Sequence, residues 1–156
     1  MNNHFYIVIL SLCILSCTKE TPTEPPLDPL EKWHFFHIHN YTIDQTRTCY
    51  CINGGMKVRL TVRSDTIYSA VHVFDGSTLS YSETQSYCAV EKLFSIIHTV
   101  SDSMVIRYNE QYGYPEYLDI DPAGHPRDAG VLYETTYLQI QYKSVPLPNQ
   151  RIKLTA

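Results

Sequence analysis

Apolar and polar residues alternate most sharply in two stretches of the chain. From Met56 to Arg63, Met56, Val58, Leu60 and Val62 take one parity while Lys57, Arg59, Thr61 and Arg63 take the other. This period of two predicts a strand with one buried and one wet face. From Met104 to Asp121, Met104, Ile106 and Tyr108 share a face of one strand, and Leu118 and Ile120 share a face of the next. Between them lies Tyr112-Gly113-Tyr114-Pro115. Gly113 is free to take positive φ, and Pro115 fixes its own φ and pushes Tyr114 into an extended conformation. The stretch therefore predicts a hairpin with a structured corner, around which the remaining elements are arranged.

Tyr41, Ile43, Cys49 and Cys51 fall on one parity of a long strand that need not be unbroken. Asn53-Gly54-Gly55 turns it into Met56–Arg63, and Ser64-Asp65 turns that strand into Thr66–Phe74, which closes at Asp75-Gly76. Three consecutive antiparallel strands are the economical reading. Ser77 to Ser86 reads as a polar loop. From Cys88 to Val100 the spacing becomes helical, with Val90, Leu93, Phe94, Ile97 and Val100 in one stripe that must lie on the sheet. Upstream, Asp28-Pro29-Leu30-Glu31 announces a short helix, with Asp28 as cap, Pro29 at the first position and Leu30, Trp33 and His37 facing the core. After the hairpin comes a loop, Pro122 to Gly130, and a last strand, Val131 to Tyr142. The predicted class is α+β: an antiparallel sheet of about six strands, with one main helix packed on one face and a short N-terminal helix.

The N-terminus adds an address. Phe5 to Leu15 is an apolar run of signal-peptide length, shorter than the roughly 20 residues a spanning helix needs. It ends at Ser16-Cys17, which resembles the bacterial lipobox, where cysteine is acylated with palmitate and becomes the new N-terminus. An uncleaved N-terminal anchor or buried helix is the other reading, and either way the domain is expected to face an extracytoplasmic compartment. Thr18 to Pro29 carries Pro22, Pro25, Pro26 and Pro29 among Thr and Glu, the composition of an extended, solvated spacer. The expected organisation is a lipoprotein signal peptide over 1–16, a Pro-rich tether over 17–29, a single domain over 30–145 and a loose tail over 146–156. A net charge of -4 and a pI near 5.9 exclude an electrostatic grip on nucleic acid. The thirteen tyrosines suit half-buried sheet positions whose polar tips reach water.

Asn40-Tyr41-Thr42, Cys49-Tyr50-Cys51, Glu91-Lys92-Leu93-Phe94, Tyr108, Tyr112-Gly113-Tyr114-Pro115 and Ile120-Asp121 occur in an order and spacing that resembles a bacterial family. It is the one called domain of unknown function 6174, mostly secreted or lipid-anchored proteins. The resemblance covers about residues 31 to 140. It departs after Asp121, where such proteins often carry more acidic residues and this chain has Ala123-Gly124-His125-Pro126-Arg127-Asp128. The resemblance implies a fold and a compartment, but no activity or cofactor.

Of the five cysteines, Cys13 falls in the signal and Cys17 takes the lipid, leaving Cys49, Cys51 and Cys88 for disulfide chemistry in an oxidising compartment. On a regular strand the Cα atoms of Cys49 and Cys51 would stand roughly 6.6 Å apart, near the upper limit for bridging. Cys88 could instead pair with one of them and staple helix to sheet. The resemblance, in which the C-x-C pair is the familial feature, favours Cys49–Cys51, and one thiol stays free. Redox chemistry would need an accessible thiolate of low pKa, which Cys88 near a helix N-terminus could approach. His34, His37 and His39 follow no familiar metal spacing, and Asp119, Asp121 and Asp128 do not follow that of an EF-hand. No nucleophile elbow or phosphate loop is present. The function read from the sequence is that of a lipid-anchored cell-envelope domain. It binds or scaffolds an unknown envelope protein or ligand, without catalysis or cofactor. The alternative is a redox or metal-handling protein using Cys49, Cys51 and the nearby histidines.

Overall fold

The computed structural model describes residues 24–51, 53–124 and 130–142. The signal segment, Cys17, Asp128 and the C-terminal tail lie outside the described residues. Six strands form one sheet: β1 (Tyr41–Thr48), β2 (Lys57–Arg63), β3 (Thr66–His72), β4 (Met104–Tyr108), β5 (Pro115–Ile120) and β6 (Val131–Ile140). Their order is β3-β2-β1-β6-β5-β4, and every neighbouring pair is antiparallel. Two three-strand meanders thus meet along β1 and β6. Among the described residues there are three helices, α1 (Pro29–Phe35), α2 (Tyr81–Thr84) and α3 (Val90–Thr99), so the fold is mostly antiparallel sheet with a few helices.

The alternation in β2 behaves as its sequence predicts: Val58, Leu60 and Val62 are fully buried and face the same side as Tyr41 and Ile43 of β1. Met56 does not follow them. It is 44% exposed and belongs to the preceding turn, where its N–H donates to the Asn53 carbonyl at 3.2 Å. Positive φ at Asn53 and Gly55 reverses the chain there, so the strand starts one residue later. The Ser64-Asp65 turn also has positive φ at both residues, as a two-residue hairpin twisted to match its strands requires. With no glycine to relieve it, the turn is held by neighbours: the Ser64 N–H donates to Asn40 Oδ1 and the Asp65 N–H to the His39 carbonyl.

The Gly-Tyr-Pro corner proves to be the seat of α1. Gly113 has φ +82°, and a side chain there would collide with the Pro29 carbonyl and the Lys32 side chain. Tyr114 packs edge-on to Trp33 at 6.2 Å between ring centroids, and Trp33 in turn packs edge-on to Tyr41 at 5.5 Å. The cap is as predicted, with the Asp28 carboxylate accepting from the Glu31 N–H at 2.9 Å and Pro29 at the first position. His37 is not on the buried face. It lies past the end of α1, exposed and at φ +50°, because the helix stops after two turns.

Val90 and Phe94 of α3 share one apolar cluster with Trp33, Tyr41, Ile43, Val58, Leu60 and Val62. Leu93 belongs to a second cluster with Leu118, Ile120 and Tyr133. The helix starts at Val90, two residues after Cys88, and Ala89 offers no capping side chain. Instead β1 supplies the cap. The Tyr41 hydroxyl accepts from the Val90 N–H at 2.9 Å, while the Gln45 side chain accepts from the Cys88 N–H at 2.9 Å and donates to the Cys88 carbonyl at 3.0 Å. Both β1 residues are fully buried. On the opposite face of β1, Asp44 takes Arg59 Nε and Nη2 at 2.7 and 2.9 Å, and the guanidinium also lies 5.4 Å from the Tyr137 ring.

Candidate functional site

β3 is an edge strand whose outer side is only partly used. The chain returning from Gly76 pairs with its far end: His72 N–H donates to the Ser77 carbonyl, Leu79 N–H donates to the Ala70 carbonyl, and Val71 bridges Thr78. Among the described residues, no backbone bond beyond the β2 ladder reaches Thr66–Ser69. There a groove of about 540 Å³ opens between β3 and the segment leading into α3, with Ile67, Tyr68, Leu79, Tyr81, Tyr87 and Lys92 in its walls. Tyr68 and Tyr81 are 65% and 82% exposed. Tyr87 is buried, and its hydroxyl has no hydrogen-bond partner among the described residues.

The far wall is fixed by α2, which sits inside the stretch expected to be a loop. Ser80 caps it and Glu83 reaches back to the Ser80 N–H, a complete capping box. The Ser80 hydroxyl, then Asn53, hold the Glu83 carboxylate down to about 2, so it is ionised at any physiological pH. Asn53 Nδ2 donates to Glu83 Oε1 at 3.0 Å, tying α2 to the β1–β2 turn.

That turn carries the cysteines. Cys49 and Cys51 form a disulfide, with Cα atoms 5.3 Å apart instead of the extended-strand spacing, because β1 has ended at Thr48 and the Cys51 N–H turns back to the Cys49 carbonyl at 2.9 Å. Among the described residues Cys88 is the free thiol. It is buried, and burial pushes its pKa up even though Tyr133 interacts with it, so it remains a thiol. Burial likewise raises the Tyr133 hydroxyl to about 12. Arg47, on the same parity of β1 as Tyr41, Ile43 and Gln45, donates from Nη1 to Cys51 Sγ at 3.3 Å. Its Nε is buried without a partner, and no carboxylate pairs with it among the described residues.

A family described as of unknown function (DUF6174) matches residues 28–140. The chain belongs to that family. No curated protein and no solved structure matches it. The DUF6174 match begins at Asp28, the cap of α1, and ends at Ile140, the last residue of β6, so it encloses all six strands and both the C-x-C turn and the Gly-Tyr-Pro corner.

Within this DUF6174 domain the other candidate residues are dispersed. His39 pairs with Asp65 at 2.7 Å and His34 with Glu91 at 3.2 Å, both at the Tyr41 end of β1, whereas Cys49 and Cys51 follow its other end. Among the described residues no group of three or more His, Cys, Asp or Glu could hold a metal ion. Asp119 is buried beside the Tyr117 hydroxyl, and Asp121, at φ +51°, turns the chain after β5. Tyr112, Gly113, Tyr114 and Pro115 form the corner against which α1 packs, through Gly113 below Pro29, Tyr114 on Trp33 and Tyr112 on Phe36. Sequence reasoning passed over Gln45 and Arg47, although a polar and a charged residue on the apolar parity of β1 were a visible signal. It also passed over the Ser80-x-x-Glu83 capping signature.

Proposed function

We propose that this is a lipid-anchored domain of the bacterial cell envelope, held to a membrane through acylated Cys17 and a Pro-rich tether, whose work is non-catalytic binding. In the same reading α3 is the main helix, covering one face of the sheet, and α1 is a short accessory. The burial of Val90, Leu93 and Phe94 among strand residues supports that arrangement. The occupant proposed for the β3 groove is an extended segment of an envelope protein. One observation carries this: the chain already adds residues 77–79 to the outer edge of β3, and the groove continues the same edge where Thr66–Ser69 have no outer partner among the described residues. Main-chain pairing along such an edge gives affinity, and flanking side chains such as Tyr68, Tyr81 and Lys92 give selectivity.

A photoreactive residue placed at Tyr81 in intact cells should cross-link to one discrete envelope protein, through a segment extended in that partner. One placed at Tyr50, 85% exposed on the other turn, should not. Equal capture from both positions, or none from Tyr81, rejects the groove. Labelled palmitate should appear on the wild-type chain and be lost, with membrane association, in Cys17→Ala. Unchanged association rejects the anchor.

A further inference from the structure

We propose that Cys49–Cys51 is a thiol–disulfide exchange site, with Arg47 holding the Cys51 sulfur as the leaving thiolate. This goes beyond the binding role and does not depend on it. The geometry behind it is an unbalanced cation. A half-buried guanidinium ordinarily faces a carboxylate, as Arg59 faces Asp44 on the other side of the same strand. Arg47 has no such partner among the described residues; its side chain meets the Cys51 sulfur at 3.3 Å and the neutral Tyr133 hydroxyl. While the bond is intact that sulfur is neutral. A negative charge appears against the guanidinium only when the S–S bond breaks with its electron pair left on Cys51. A nearby cation lowers a thiol's pKa and makes the thiolate a better leaving group.

The surroundings suit exchange. The pair lies in a hairpin turn at the surface, with Cys51 exposed and Cys49 half-exposed. The turn has its own backbone closure, independent of the sulfurs: the Cys51 N–H to the Cys49 carbonyl, the Gly54 N–H to the Cys51 carbonyl at 3.1 Å and the Gly55 N–H to the Arg47 carbonyl at 2.8 Å. Asn53, held by Glu83, ties it to α2. Both thiols therefore stay close together when reduced. Cys88, the third thiol, is buried and takes no part.

The co-reactant is a dithiol protein. Its first thiolate, having lost a proton to solvent, attacks Cys49 Sγ. The Cys49–Cys51 bond breaks, its electron pair leaves on Cys51 Sγ beside Arg47, and a mixed disulfide forms between the partner and Cys49. The second thiolate of the partner then attacks its own sulfur in that mixed disulfide. Cys49 is released as a thiolate and takes a proton from water, and the partner becomes a disulfide. Two electrons have passed to the pair. In the reverse sequence the reduced pair passes its two electrons to a partner's disulfide, which becomes a dithiol while the Cys49–Cys51 bond re-forms, so the site can run in either direction according to the partner's potential.

The test reduces the full chain with a phosphine and follows iodoacetamide alkylation of Cys49 and Cys51 separately by mass spectrometry as a function of pH. Cys51 should titrate at least about one pH unit below the ordinary thiol value near 8.5. Arg47→Gln should return it toward that value, and Arg47→Lys, which keeps the charge, should retain most of the shift. Brief exposure of the oxidised chain to glutathione should place the adduct on Cys49 with Cys51 free. Protection of Cys88 from alkylation reports that each variant is folded. An ordinary Cys51 titration in the wild-type chain overturns the proposal by itself, whatever the variants do. So does a glutathione adduct distributed equally between the two sulfurs.

Discussion

The two ends of β1 use similar residues to opposite effect. At the Tyr41 end, polar groups near the core find partners: the Tyr41 hydroxyl meets the Val90 N–H, Trp33 Nε1 meets Glu91 at 3.1 Å, and His39 meets Asp65. At the Thr48 end, the Arg47 Nε, Tyr87 hydroxyl and Thr135 hydroxyl are buried without partners among the described residues, against Asp65 Oδ1 alone at the Tyr41 end. A buried polar group left unpaired costs about 1 to 3 kcal/mol, so the Thr48 end gives up stability that the Tyr41 end gains. The first end therefore reads as a clamp and the second as the place where chemistry is kept in reserve.

If that contrast is right, the Tyr41 end should suffer most from mutation. Trp33→Ala removes the ring that joins α1, Tyr41 and Tyr114, and should cost about 3 to 5 kcal/mol in urea unfolding. A cost near 1 kcal/mol would mean that α1 is not part of the clamp. Gln45→Leu comes next. Its side chain satisfies both backbone groups of Cys88, and leucine keeps the volume while stranding a buried N–H and C=O, for an expected loss of about 2 to 4 kcal/mol. Hydrogen exchange should place that loss in α3 first, because the helix N-terminus is what the glutamine holds. Gly113→Ala, at φ +82° and against the Pro29 carbonyl, should cost about 1 to 3 kcal/mol and loosen α1 without affecting the disulfide turn.

These residues also show how far the sequence could be read. Val58, Leu60 and Val62 declared their strand because burial on one face leaves a period of two, and the α3 stripe and the Asp28 cap were legible for the same local reasons. Met56 broke the pattern because a turn with two positive-φ residues claimed its N–H, a fact of backbone geometry that hydrophobicity does not record. The pairing of β1 with β6 joins Tyr41 to Ile140, and neither strand carries a mark of the other. Gln45 and Arg47 were anomalies on an apolar parity, but their meaning rests on partners in space. Gln45 finds Cys88, 43 residues away. Arg47 finds a sulfur only because the chain leaves β1 at Thr48 and turns back.

Alkaline titration sharpens the comparison with the smallest expected effect. Tyr114, at the α1 corner, and Tyr133, the register partner of Arg47, are both raised by burial from an ordinary 10 to about 12. The unfolded chain therefore loses these protons first as pH rises. The stability contributed by the two neutral rings is complete below pH 10 and is lost as pH climbs toward 12. In a Cys88→Ala background, which removes the thiol that also contributes to the Tyr133 shift, the unfolding free energy should fall by about 1 kcal/mol for each of the two rings between pH 9.5 and 11. Tyr114→Phe and Tyr133→Phe should each flatten part of that fall. Arg47 then separates the two ends. Its charge opposes the rise at Tyr133 and is not among the influences on Tyr114, so Arg47→Gln should move the Tyr133 phenolate absorbance to still higher pH and leave Tyr114 where it was. Equal movement of both rings would mean that the cation acts on the fold as a whole, and the distinction between a clamped end and a reserved end would fail.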